Sequence, residues 1–268
     1  MLTSLILGAL VGAVLGLTGA GGGILAVPAL VVGMGWPMQQ ASPVALIAVA
    51  GSAAIGAIEA FRRGLVRYRA ALLMTITGVP VTALGAHLAH ELPQRFLIEC
   101  FAGVMLLVAF RLLNQAMGRK ASGETTSPLC VGRMDPDTGR LSWNWSTGAA
   151  LAGTGALTGL MTGLLGVGGG FVIVPMLRKL TDVSMHGIVA TSLMVIALVG
   201  SGGIVSTIHA GVSPPVVLTL LFSITTAAGM IVGRFASHHL SARRVQIGFA
   251  GVLICVSLGM LAKAVFSG

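Results

Sequence analysis

Two short runs hold the residues best suited to bind a ligand. The first is Gly16-Leu17-Thr18-Gly19-Ala20-Gly21-Gly22-Gly23, continuing through Ile24-Leu25-Ala26-Val27 to Pro28. The second lies 147 residues later, from Gly163-Leu164-Leu165-Gly166-Val167-Gly168-Gly169-Gly170 to Pro175, and 8 of the 13 positions are identical. Both interrupt long apolar stretches. Three consecutive glycines there are costly unless the backbone must break, turn or admit a close neighbour. A helix that restarts after such a break presents free N–H groups and about half a positive charge. Two such ends facing each other make an anion site built mostly of backbone. Close helix packing explains isolated spacings such as Gly8 and Gly12, but it accounts less well for a triple glycine used twice.

The candidate ligand-binding residues are Gly19, Gly21, Gly22 and Gly23 at the first break and Gly166, Gly168, Gly169 and Gly170 at the second. The hydroxyls of Thr18, Ser42, Thr191 and Ser192 join them. Ser42 and Thr191 are repeat equivalents, as are Ser52 and Ser201. A hydroxyl can donate to an anion without the cost of burying a charge. The alternative for each is a bond to the carbonyl one helical turn back. Valine at Gly22 or Gly169 is expected to abolish binding and leave the protein folded.

Other chemistry finds little support. Cys100, Cys130 and Cys255 are scattered and form neither a metal-ligand pattern nor a disulfide framework, so no cofactor is expected. No HExxH or Ser/His pair lies within an apolar stretch, which argues against an intramembrane enzyme. An anion channel is the nearer alternative to a carrier. Glu59 is expected to pair with Arg62 or Arg63 at a helix end, and Glu99 with Arg95 one turn away.

The elements that position these residues are apolar helices. Of the 268 residues, 55% are hydrophobic and 9% charged, where a soluble domain carries about 25% charged residues. The surrounding solvent is therefore a lipid bilayer, and the excess of 16 Lys+Arg over 7 Asp+Glu orients loops in it, with no nucleic-acid partner implied. The fold class expected is an all-α integral membrane protein of two inverted repeats. Each repeat is a Gly-rich broken helix or hairpin followed by three transmembrane helices. Residues 1–117 form the first repeat, 118–145 a polar linker and 146–268 the second. Spans are expected near 42–60, 70–89, 96–113, 185–208, 214–236 and 245–266, with Ser42-Pro43 starting the first of them. Collinear matches extend past the glycines: Ala41-Ser42 with Ala190-Thr191, Gly51-Ser52 with Gly200-Ser201, and Phe101-Ala102-Gly103-Val104 with Phe249-Ala250-Gly251-Val252. Trp143 and Trp145 stand where an interfacial aromatic belt would place them.

Charge separates inverted from parallel repeats. Arg62, Arg63, Arg67 and Arg69 follow the second segment of the first half, whereas the equivalent loop at 208–213 has no Lys or Arg. In the second half the cations outside the span interiors sit at Arg178, Lys179, Arg234, Arg243 and Arg244. Placing all of these and the linker in the cytoplasm requires the segment 146–177 to start and end on that side. The glycine break must then reverse the chain, and symmetry extends this to the first break. Eight single crossings in parallel repeats would put the uncharged loop beside the four-arginine loop, a poorer match to the bias.

The run Gly16–Gly23 through Pro28, its second copy Gly163–Pro175, and Ala190-Thr191-Ser192-Leu193 resemble the sulfite exporter TauE/SafE family, also called the toluene-sulfonate uptake permease family. The first half departs from the Thr-Ser pattern at Ser42-Pro43. The resemblance covers essentially the whole chain. It implies a permease for a small sulfur-containing anion, such as sulfite or an organosulfonate, in a bacterial inner membrane. Alternating access in the bilayer, with a proton or sodium ion as possible coupling ion, is the mechanism that such a carrier implies.

Overall fold

A computed structural model of the chain describes residues 2–19, 22–117, 144–181, 183–209, 211, 214–237 and 241–266. Most of the polar linker, Trp143, Cys130 and Gly21 lie outside the described residues. The fold is all-helical: α1 (Leu2–Thr18), a short 3-10 turn (Gly22–Leu25), α2 (Ala26–Gly33), α3 (Met38–Arg62), α4 (Tyr68–Glu91), α5 (Gln94–Ala116), α6 (Trp145–Leu165), α7 (Gly170–Leu180), α8 (Met185–His209), α9 (Val216–Ser237) and α10 (Ala242–Phe266). Seven of these are long and apolar enough to cross a membrane, and α1, at 17 residues, is the next longest.

The order repeats: α1 to α5 are matched by α6 to α10. The packing follows the same correspondence. Helix α1 packs on α9 as α4 packs on α6, and α3 on α9 as α4 on α8, while the equivalent pairs α3·α8 and α5·α10 pack on each other. The halves are thus interlocked rather than set side by side. Helices α3 and α8 form the centre, with 61% and 56% of their apolar windows buried against 28–39% for the other spans. Ile76, Phe110, Ile224 and Phe235 on the outer helices are exposed. That apolar surface is too extensive for water and suits lipid.

Glycines set how closely the helices approach. Along α1, a Cβ at Gly8, Gly12 or Gly16 would run into Phe222–Thr225, Thr226 or Met230–Arg234 of α9, so the two helices run in the same direction. On α6, Gly155, Gly159 and Gly163 meet Met74–Thr77, Gly78 and Thr82–Ala86 of α4 in the same sense. Helices α3 and α8 run oppositely: Gly203 faces Leu46, Gly200 faces Ala50 and Gly56 faces Leu193. The expectation of glycine as a packing device at Gly8 and Gly12 therefore holds, and it extends to Gly78, whose contact is the Gly155 carbonyl.

One expected helix start is corrected. Helix α3 begins four residues before Ser42, at Met38, with extended Pro37 as its N-cap; Gln40 and Ala41 N–H donate to the Pro37 carbonyl. Pro37 is itself the break before the helix, and Met38 to Gln40 continue the turn without obstruction. Ser42 is therefore an interior residue of α3, and Pro43 lies inside the helix.

The basic segments gather at one end of the bundle. Glu59 pairs with Arg63 (2.6 Å) and, across to α9, with Arg234 (2.7 Å), joining the last turns of α3 and α9. The expected partner Arg63 is thus confirmed, and Arg234 is added. Arg67 N–H donates to Thr191 Oγ1 (3.0 Å), bringing the start of α8, just after Arg178 and Lys179, to the same end. Val66, Ala60 and Ala190 form a small apolar cluster there. Arg95 and Glu99 pair as their spacing predicts (3.1 Å).

Candidate functional site

At the second break α6 ends on Gly166, which takes the left-handed conformation (φ 70°) and donates its N–H to the Thr162 carbonyl (2.8 Å). Gly168 (φ 75°) and Gly169 (φ 64°) are also left-handed, and only glycine adopts three such residues in four cheaply. Gly169 is the N-cap of α7 and lies against Thr158, two turns back on α6. The chain has therefore reversed. The first break does the same. Gly19 (φ 83°) donates to the Leu15 carbonyl, Gly22 rests on the backbone of Val14–Leu15, and Gly33 at the end of α2 lies against Leu7. Each glycine run is a hairpin turn, and its short helix returns along the helix before it.

The two turns meet. A Cβ added to Gly23 would stand 3.2 Å from the Val167 carbonyl oxygen and 2.9 Å from Val49 Cγ1. One added to Gly168 would stand 2.9 Å from Ile196 Cγ2 and 3.4 Å from Val49 Cγ1. Val49 on α3 and Ile196 on α8 are fully buried, so they floor the junction with apolar surface. Gly22, Gly23 and all of Gly166–Gly170 are buried. The left-handed Gly169 followed by helical Gly170 turns successive N–H groups toward one side, the arrangement of an anion-binding concavity. With the α7 dipole behind it, that end carries partial positive charge.

The predicted hydroxyls are distributed unevenly. Ser42 touches a turn directly: a Cβ at Gly166 would overlap its Oγ. Ser42 also lines a cavity of about 40 Å³ with Gln39, His90, Gly163, Leu164 and Thr207, room for a few waters beside the second turn. Thr18 donates to the Val14 carbonyl (2.8 Å), Thr191 to the Gly187 carbonyl (2.7 Å) and Ser192 to the Val189 carbonyl (2.9 Å). Thr191 also accepts from Arg67 N–H, so it ties the basic end together. Ser52 and Ser201 donate to backbone carbonyls as well. Thr18 directly precedes the first turn, and Ser192 lies near it through Val189, against which Gly19 packs.

Thr158, which sequence reasoning passed over, stands at the second turn. The available signal was the series Thr154, Thr158 and Thr162, one turn apart in the second repeat where the first has Leu7, Val11 and Leu15. A further correction concerns the glycines themselves. Valine at Gly22 would drive a side chain into the α1 backbone, and at Gly169 into Thr158 at a left-handed residue. Neither substitution can leave the hairpin intact, so loss of binding in them would not isolate a ligand contact. Among the described residues there is no group of three or more His, Cys, Asp or Glu placed to hold a metal.

A family pattern matches nearly the full length of the chain, and individual relatives match about three quarters of it. The family model described as Sulfite exporter TauE/SafE matches residues 4–260. A "Probable membrane transporter protein" of Xylella fastidiosa (strain 9a5c) is 30% identical over 204 residues, 75% of this chain and 70% of the relative. The "Probable membrane transporter protein YunE" of Bacillus subtilis (strain 168) is 26% identical over 77% of each chain. No solved structure matches the chain. A duplicated glycine hairpin buried among seven apolar helices, matched from residue 4 to residue 260, identifies a multi-pass membrane transporter: the chain belongs to the sulfite exporter TauE/SafE family.

Proposed function

We propose that the protein is a secondary transporter for a small sulfur-containing anion, sulfite or an organosulfonate, in a bacterial inner membrane. The anion is held by backbone N–H groups at the two glycine turns and moved by alternating access. The observation that carries this reading is the junction itself. Two reversed helix starts, one from each half, abut at Gly23 and Val167 in the interior, with apolar Val49 and Ile196 beneath. Irregular backbone at such depth is tolerated where it is packed in protein or lines a wet cavity. Partial positive charge without a buried cation suits a carrier, because it binds an anion and also releases it.

The halves, 1–117 and 146–268, are read as inverted, with 118–145 as a cytoplasmic linker. The opposite directions of the equivalent helices α3 and α8 support this. The collection of Arg62–Arg69, Arg178–Lys179 and Arg234 at one end supports a cytoplasmic assignment for that end. The cavity at Ser42 opens beside the second turn from the other end and is read as an access route.

Flux into proteoliposomes tests the function. Saturable uptake of sulfite or methanesulfonate, with counterflow when the same anion is loaded inside, is expected. Ohmic anion conductance without saturation would favour a channel and overturn the carrier. Repeating uptake with an imposed proton or sodium gradient identifies the coupling ion.

A further inference from the structure

Three threonines stand one turn apart on the buried side of α6: Thr154, Thr158 and Thr162. Thr154 donates to the Ala150 carbonyl and Thr162 to the Thr158 carbonyl, both at 2.7 Å. This is how hydroxyls ordinarily hide in an apolar helix. Thr158 departs from it. The residue is fully buried, and its Oγ1 is sealed from solvent with no hydrogen-bond partner among the described residues. A buried hydroxyl left unpaired is a standing cost, and such groups in native proteins call for a reason.

Position supplies that reason. The Thr158 side chain lies against Gly169 through its Cγ2 methyl, with Cβ, which carries the hydroxyl, close behind, where the 11-residue helix α7 begins. Val172 and Ile173 N–H donate to the Gly169 carbonyl, which leaves the N–H groups of Gly170 and Phe171 as the first-turn donors with no partner within the helix. An unpaired hydroxyl and a set of helix-start donors thus share one buried place. Next to partial positive charge the matching ligand is rich in acceptors, and a hydroxyl rotor beside it turns its proton outward.

We infer that Thr158 donates a hydrogen bond to an oxygen of the bound oxyanion at the N-terminus of α7. This rests on the anion-site reading above and names its side-chain donor. It also makes the two half-sites unequal. Val11 holds the equivalent place on α1, between Leu7 and Leu15, so α1 carries no hydroxyl at that place. The oxygen-bearing end of the substrate is read by the second half.

The test is calorimetric titration of sulfite and of methanesulfonate into the detergent-purified full chain and its Thr158 variants. Thr158→Val keeps the shape and removes the hydroxyl; Thr158→Ser keeps the hydroxyl and removes the methyl. The valine variant is expected to bind at least about tenfold more weakly, since hydrogen bonds to charged groups are the strong class. Without ligand it should melt at or above the wild-type temperature, because an unpaired polar group has been removed. The serine variant should bind within about threefold of wild type, as it retains the donor. Thr158→Cys, with a weak thiol donor of similar size, gives the same comparison should the valine variant not be monodisperse. Valine-variant binding within about twofold of wild type removes the Thr158 contact and leaves the anion site standing. Equal weakening by valine and serine assigns the loss to the methyl packed on Gly169 and also overturns the contact. A wild type that binds neither probe sinks the anion site and Thr158 with it.

Discussion

At the residue scale, glycine serves three separable purposes here, and substitution by alanine distinguishes them. Gly51 on α3 has open space where a Cβ would go and helical backbone. Alanine there should stabilise by roughly 0.5–1 kcal/mol. Gly35 is left-handed (φ 75°) with open space around it; alanine should cost about 1–2 kcal/mol from conformation alone. Gly169 adds a collision with Thr158 to the same left-handed strain, so alanine should cost about 2–5 kcal/mol. Thermal unfolding of the three variants in one detergent should give that order. Reversal of Gly35 and Gly169 would mean the second turn relaxes freely and its tight packing is not needed.

At the element scale, the short returning helices must be held at both ends. The C-terminal carbonyls of α7 are complemented by its own Arg178 and Lys179. Helix α2 has no basic residue in its last turn, and Val31 stands where α7 has Arg178. The cation comes instead from α10: Lys263 Nζ donates to the Val31 carbonyl at 2.7 Å. The same physical requirement is met locally in one half and by a distant helix in the other. Lys263→Met should therefore destabilise by about 1.5–3 kcal/mol, the value of a hydrogen bond from a charged group. Lys263→Arg should retain most of it, and both are read by thermal unfolding. The α1–α9 seam offers a harsher test. A Cβ at Gly12 would overlap the Thr226 carbonyl, backbone against backbone. Gly12→Val should lose monodisperse protein in size-exclusion chromatography, whereas Gly148→Ala on α6, with open space around it, should not.

At the scale of the whole molecule, the halves are joined by a polar seam at the basic end. Glu59 bridges Arg63 of its own helix and Arg234 of the other half, with its carboxylate about half exposed. Glu59→Gln should cost only about 0.5–1 kcal/mol in stability, since an exposed pair is screened by water. Because the seam links α3 to α9, the same change should alter uptake rate more than melting temperature if the halves move against each other during transport. Equal transport rates in the two proteins would show that the seam does not gate movement. Topology is checked by cysteine labelling in intact cells. A cysteine at Gly64, beside the arginine cluster, should be protected from a membrane-impermeant reagent, and one at Gly211 should react. Labelling of both from one side would defeat the inverted arrangement.

Much of this was legible in the sequence, for local reasons. Membrane class follows from composition, because a bilayer accepts apolar surface that water does not. The hairpins follow from a triple glycine repeated at fixed spacing, and the grouping of the basic loops from charge bias. The family resemblance rests on the same residues. What the sequence could not mark is which face of each helix meets which partner. Helices that are apolar around their whole circumference carry no amphipathic stripe to read. Ser42 seemed a cap and proved to be an interior residue pressed on Gly166; Thr191 seemed a ligand and is occupied by Gly187 and Arg67. Thr158 looked like one more hydroxyl in an apolar helix until its neighbours were satisfied and it was not. Tertiary structure decided these points because the contacts join residues more than a hundred positions apart, or join a helix to the turn that folds back on it. The glycine turns themselves were written in the chain. Their meeting at Gly23 and Val167 depends on how two interlocked halves pack around α3 and α8.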